Sequence, residues 1–88
     1  MESKQIEWWV YLVSCSDGSL YTGITTNVER RISEHNTSKK GAKYTRNKRP
    51  VRLVYSEAQS DRSTASKREY FIKKLSRDEK LKLIKKEP

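Results

Sequence analysis

The chain has a single cysteine, a single histidine, two prolines and three glycines among 88 residues. One cysteine, Cys15, excludes an intrachain disulfide and any cysteine-rich zinc site. The polar opening MESKQIE does not read as a secretory signal, and no apolar run reaches the length of a membrane span. A reducing cytoplasm without membrane attachment is the expected setting. Acid is scarce as well, with 11 acidic against 20 basic residues and a formal net charge of +9. A field of that sign favours polyanions, nucleic acid first, over a merely solvated basic surface. Only 33% of the residues are hydrophobic, which suffices for one core and therefore one domain over residues 1–88. That core is expected to draw on Trp8, Trp9, Tyr11, Leu12, Leu20, Ile24, Val28, Ile32, Leu53, Val54, Ile72 and Leu75.

Residues 8–14 and 20–25 are rich in β-branched and aromatic types, and Ser16-Asp17-Gly18-Ser19 between them is turn chemistry, so the pair reads as a β-hairpin. Asn27 can cap a short helix over residues 28–36, where Val28, Ile32 and His35 recur at helical spacing. Residues 37–50 carry Lys39, Lys40, Lys43, Arg46, Lys48 and Arg49 with no acid, punctuated by Gly41 and Pro50; this stretch reads as a basic loop. A third strand is expected over residues 51–55. Ser60-Asp61 opens a long helix through Leu75, and Ser76-Arg77-Asp78-Glu79 has the form of a capping box that starts a last helix to about Lys86, with Leu81 and Ile84 facing inward. The predicted architecture is α+β: a three-stranded, mostly antiparallel sheet with flanking helices in the order ββαβαα.

Five residues can carry chemistry. A hairpin centred on Asp17-Gly18 brings Tyr11 and Tyr21 near each other across the strands. Gly23 weakens an otherwise good strand, which often marks a close approach by a ligand such as a phosphate backbone. Arg31 and His35, four apart, share one helix face; a guanidinium holds a phosphate by two parallel hydrogen bonds, and an imidazole exchanges a proton near neutral pH. Glu69 falls between Ala65 and Ile72 at the edge of the buried stripe of the long helix. One partly covered carboxylate is enough for a magnesium ion that keeps several waters. Each residue alone has a plainer reading: strand aromatics usually pack, Arg31 can be a solvated charge, His35 can answer the helix dipole, and Glu69 can pair with Lys73. Together they are what metal-assisted phosphodiester cleavage needs. Cys15 is assigned no role.

These residues resemble the GIY-YIG nucleases, most closely their small stand-alone bacterial members of unassigned function, from about Trp9 to Ile84. Tyr11 stands at the tyrosine of the first motif, Tyr21 and Gly23 at the tyrosine and glycine of the second. Arg31 matches the helix arginine, His35 the histidine or tyrosine one turn on, and Glu69, in REYFIKKL, the metal-binding glutamate. The chain departs from the pattern in reading Val10-Tyr11-Leu12 and Tyr21-Thr22-Gly23. It has Ile24 where some members have lysine, and no asparagine beyond the glutamate.

The resemblance implies an endonuclease-like domain that hydrolyses DNA, ahead of RNA, with one Mg2+ or Mn2+ on Glu69 and Arg31 on the scissile phosphate. Tyr11, Tyr21 and His35 all stay open as the group that activates water. Gly23, Lys39, Lys40, Lys43, Tyr44, Arg46, Lys48 and Arg49 are the expected nucleic-acid contacts, with Tyr44 available to stack on an unpaired base. The alternative is a non-catalytic module that binds DNA or RNA and acts with a protein partner.

Overall fold

A computed structural model describes residues 7–37 and 40–85. The hairpin forms as expected from β1 (Trp8–Ser14) and β2 (Leu20–Thr25). Its turn is closed by Asp17, whose Oδ1 accepts from the Ser19 amide at 3.0 Å and hydroxyl at 2.6 Å. Gly18 there adopts a φ of 85°, the left-handed region that glycine enters without a Cβ penalty. β3 (Arg52–Gln59) runs four residues beyond the predicted end at Tyr55. All pairings are antiparallel and the strand order is β2-β1-β3, so β2 forms one edge.

A register shift in the β1–β3 pairing places Leu12 opposite Tyr55 but Val13 opposite Leu53, so Val54 is extra. Such a bulge breaks strand alternation. Leu53, expected in the core, is in consequence 40% exposed, while Val54 and Tyr55 both pack toward the same cluster. Trp8, Trp9, Leu20, Ile24, Val28 and Ile32 are only half-buried, and the fully covered positions include Val10, Val13, Ala65 and two polar residues, His35 and Thr45.

Successive residues of β1 feed opposite faces of the sheet, as strand geometry requires. Val10 and Leu12 join Tyr55, Ala65 and Ile72 under α3 (Arg62–Lys73), and Tyr11, Val13 and Cys15 join Val51 with Ile32 of α1 (Val28–Thr37). α1 starts where expected, with the Arg30 amide donating to Asn27 Oδ1 at 3.0 Å. α3 begins in a capping box of Asp61 with Thr64, and Arg68 ties it to β3 by donating to both carboxylate oxygens of Glu57, at 2.8 and 3.3 Å. α4 (Arg77–Lys85) opens on the predicted capping box, Ser76 amide to Glu79 Oε1 and Glu79 amide to Ser76 Oγ. Leu83, together with Ile84, packs toward the core, where the sequence suggested Leu81.

The basic loop differs from expectation. Lys43–Arg46 make a helical turn, α2, so the order is ββααβαα. Gly41 explains how it docks: a Cβ there would lie 2.7 Å from the Glu34 carbonyl oxygen and 2.8 Å from His35 Cα, so only glycine lets the loop fold back this closely on α1. Among the described residues no helix is long and apolar enough to cross a membrane.

Candidate active site

Tyr11 and Tyr21 stand on one face of the sheet as diagonal neighbours, since Tyr11 pairs with Gly23 and Val13 with Tyr21. Their ring centroids are 6.5 Å apart. His35 projects from α1 into the same space, its ring centroid 5.8 Å from that of Tyr11 and 5.4 Å from that of Tyr21. The Tyr11 hydroxyl and His35 Nε2 are 2.8 Å apart, and the other ring nitrogen, Nδ1, is 2.9 Å from Thr45 Oγ1. Both residues are buried, and burial pushes the Tyr11 phenol up to about 12 and the His35 imidazole down to about 4, the latter helped by the positive charge of Arg31. His35 is therefore neutral at physiological pH.

Arg31 lies one turn before His35. It donates to Glu34 Oε1 at 2.9 Å and to the Lys40 carbonyl at 2.7 Å, and its positive charge lies close enough to the Tyr11 phenol to favour the ionised form of that group. Its side chain is 24% exposed against 58% for Arg30, so the two adjacent arginines have different surroundings: one faces the phenols, the other water.

Glu69 arrives from the other side of the sheet. It follows Ala65 by four residues and precedes Ile72 by three, and both of those are fully buried under the strands. α3 packs on β2 as well as β1, and β2 is the sheet edge, so this stripe lies beside an open edge of the sheet. Its charge is felt at Tyr11, where it raises the phenol pKa. In this state Glu69 pairs with Lys73 at 3.3 Å. No group of three or more metal-ligating His, Cys, Asp or Glu side chains occurs among the described residues.

The predicted nucleic-acid residues divide into two sets. Lys40, Lys43, Tyr44 and Arg46 are exposed. Lys48 and Arg49 are partly covered and engaged: Lys48 Nζ is 3.5 Å from Asp17 Oδ2, and Arg49 Nε donates to the His35 carbonyl at 2.6 Å. Tyr44 is stacked on Tyr21 with centroids 5.6 Å apart, and Lys48 Nζ sits 3.8 Å from its ring centre. A base can stack on Tyr44 only if one of these neighbours moves. Lys39 lies outside the described residues. Gly23 is buried beneath the Tyr11 ring.

Sequence reasoning passed over Thr45, Glu34 and Asn36. Asn36 locks the end of α1 to the start of β3, accepting from the Val51 amide at 2.7 Å and donating to its carbonyl at 3.1 Å. Its signal was faint: an amide side chain at a helix end. Thr45 had none, because a hydroxyl within a run of lysines and arginines looks solvated.

The β-hairpin thus presents two tyrosines to a helix-borne arginine and histidine, with a glutamate on a later helix. The chain belongs to the GIY-YIG catalytic domain family, which matches residues 7–82. Its similar relatives are UPF0213 proteins: it is 62% identical to one from Desulfotalea psychrophila over 96% of this chain and 76% of the relative, and 60% identical to one from Staphylococcus haemolyticus over 86% and 92%. Two solution NMR structures share the fold. The UPF0213 protein BH0048 from Bacillus halodurans superposes with a TM-score of 0.60 at 47% identity, covering 92% of this chain and 85% of that one. The protein EF2693 from E. faecalis gives 0.62 at 45% identity, covering 98% and 90%.

Proposed function

We propose that this domain is a metal-dependent endonuclease that hydrolyses DNA phosphodiester bonds. The observation that carries the reading is the convergence on the Tyr11 hydroxyl of His35 Nε2, the Arg31 guanidinium and the field of Glu69. Helix packing alone does not require a buried phenol, an arginine and a buried neutral imidazole to meet on one face of the sheet.

The donor set fits a single hard cation. One half-buried carboxylate cannot cage an ion, but it matches magnesium or manganese, which keep waters and take the rest of their ligands from substrate phosphate. Glu69 would hold it, and when bound the ion supplies positive charge to the phosphate and acidifies a water. Arg31 clamps the scissile phosphate through its planar fork and offsets the charge that develops there. Tyr11, once it has released its own proton to solvent, takes the proton of the attacking water as the phenolate. At about 12 its phenol is a poor base, so positive charge beside it has to lower that value when substrate is present. His35, buried and neutral, positions Tyr11. The exposed cations Lys40, Lys43 and Arg46 track the phosphate backbone without reading bases. A cytoplasmic site of action belongs to this reading.

The test is direct. Branched, nicked and plain DNA, and matching RNA, are incubated with the protein with and without magnesium or manganese, beside a Glu69→Gln variant. Metal-dependent cleavage that the variant loses supports the proposal. The Glu69–Lys73 pair favours a second reading, a binding module for DNA or RNA that acts with a protein partner. A parent protein that binds but cleaves nothing with either metal selects it.

A further inference from the structure

His35 has two ring nitrogens, and which one carries the proton decides what Tyr11 receives. Three groups settle this. The Ala42 backbone amide, which can only donate, points at His35 Nδ1 from 3.3 Å. The Thr45 hydroxyl lies 2.9 Å from the same nitrogen and 3.0 Å from the Ala42 carbonyl. That carbonyl accepts from the Thr45 amide at 3.0 Å as well, so the single hydroxyl proton is shared between it and Nδ1, and the Ala42 amide, which has no such choice, makes Nδ1 the acceptor. A proton on Nδ1 would meet the Ala42 N–H head on. With Nδ1 as acceptor, the proton sits on Nε2, which then donates to the Tyr11 oxygen 2.8 Å away.

We infer that α2 is the positioning element of Tyr11: the Ala42 amide and the Thr45 hydroxyl hold His35 as the Nε2–H tautomer, so that the imidazole donates to the phenol oxygen. The inference rests on the nuclease reading for its catalytic meaning, but not for its geometry. A phenol oxygen that accepts an N–H bond is aimed, and the positive charge beside it opposes the burial that holds its pKa up. The same arrangement removes His35 as acceptor of the Tyr11 proton, because its Nε2 is already protonated. It also makes the basic loop more than a phosphate contact. Lys43 and Arg46 flank Thr45 on one helical turn, so the segment expected to hold the nucleic acid is the segment that sets the imidazole. Thr45 is fully buried, which a solvated loop residue would not be.

Long-range 1H–15N correlation of the imidazole reads the tautomer without any substrate. In the parent protein the expected spectrum shows Nδ1 unprotonated and Nε2 protonated at pH 7; the reverse assignment overturns the inference. Thr45→Val keeps the shape of the side chain and deletes its hydroxyl, and Thr45→Ser restores the hydroxyl. The valine variant, checked for a dispersed amide spectrum, is expected to shift the His35 nitrogen signals toward a mixture of tautomers. Its cleavage rate should fall roughly ten- to a hundredfold in kcat with KM little changed, the size expected for a misaimed group, and serine should recover most of it. Unchanged nitrogen signals in the valine variant, or serine behaving like valine, overturn the inference. If the parent never cleaves, the nuclease reading fails while the nitrogen spectra still decide the tautomer.

Discussion

Gly23 lies directly against the Tyr11 hydroxyl: a Cβ at position 23 would fall 2.5 Å from that oxygen and 2.7 Å from the carbon that bears it. The two residues are cross-strand partners, and the phenol fills the space a side chain would need. Tyr11 is held by His35 and cannot swing away as a loose surface chain would. Gly23→Ala should therefore displace the phenol and cut cleavage strongly. Added volume against a packed group costs about 1–3 kcal/mol, so a lower melting temperature is expected as well. DNA affinity, which the proposed function assigns to the basic loop, should change little. Side-by-side gel-shift and cleavage assays check this, and equal loss of both would refute it.

The adjacent arginines should separate enzyme from binder. Arg31→Ala is expected to keep most of the affinity for DNA and to lose cleavage by orders of magnitude, because its guanidinium acts on charge that develops only in the transition state. Arg30→Ala, at the solvent-facing position with a long 3.7 Å pair to Glu34, should do little to either. Lysine at position 31 should rescue poorly, since it keeps the charge and loses the fork. Single-turnover rates and binding isotherms measured on the same substrate make the comparison.

Burial of His35 predicts a loss of stability in acid. Its folded pKa, near 4, lies below the value of about 6.5 expected when unfolded, so between these limits the unfolded chain binds the extra proton. Stability should be full above pH 6.5 and fall as pH drops toward 4, by on the order of 3 kcal/mol from this group across that window. Urea unfolding followed by tryptophan fluorescence at several pH values measures it. His35→Gln should flatten the slope between pH 4 and 6.5; an unaltered slope would show that other groups govern acid unfolding.

Neutralising Lys43 and Arg46, both exposed on α2, should weaken binding to all sequences alike. The dependence of log affinity on log salt should drop by about two units, roughly one per lost phosphate contact. An unchanged slope would make α2 a structural element only.

A single carboxylate predicts weak metal binding in the free protein. Adding magnesium or manganese should move backbone amide signals near Glu69 and in the β1–β2 hairpin, with millimolar rather than micromolar metal required. Breaking the Glu69–Lys73 pair with Lys73→Met should tighten the response, since the ammonium competes for the same oxygens. Shifts confined to other acidic residues would remove Glu69 from the site.

Period, caps and turn chemistry made much of this molecule legible. The β-branched and aromatic enrichment of residues 8–14 and 20–25, the Asp17-Gly18 turn, the Asn27 cap and the Ser76–Glu79 box are local signals, and the structure uses them as read. The helical spacing of Arg31 and His35, and of Glu69 with Ala65 and Ile72, is equally local and placed those side chains on the faces they occupy. What these patterns do not report is a polar residue that packs inward. Hydrophobic periodicity cannot tell that His35 is fully covered, that Thr45 covers one of its nitrogens, or that Lys48 and Arg49 are engaged within the fold.

Sequence alone thus determined a basic sheet-and-helix fold, the order of its main elements and the residues with chemical potential, because each depends on neighbours within a few positions. Tertiary structure decided the rest. The bulge at Val54 that turns Leu53 outward depends on β3 pairing with a strand some forty residues earlier. The docking of α2 on α1 depends on Gly41 leaving room at Glu34 and His35. Tyr11 and Glu69 come within each other's field only because α1 and α3 pack on opposite faces of the sheet near its edge strand β2. Such placements are set by packing between distant segments, where the free energy of covering a face, rather than any local preference, selects the arrangement.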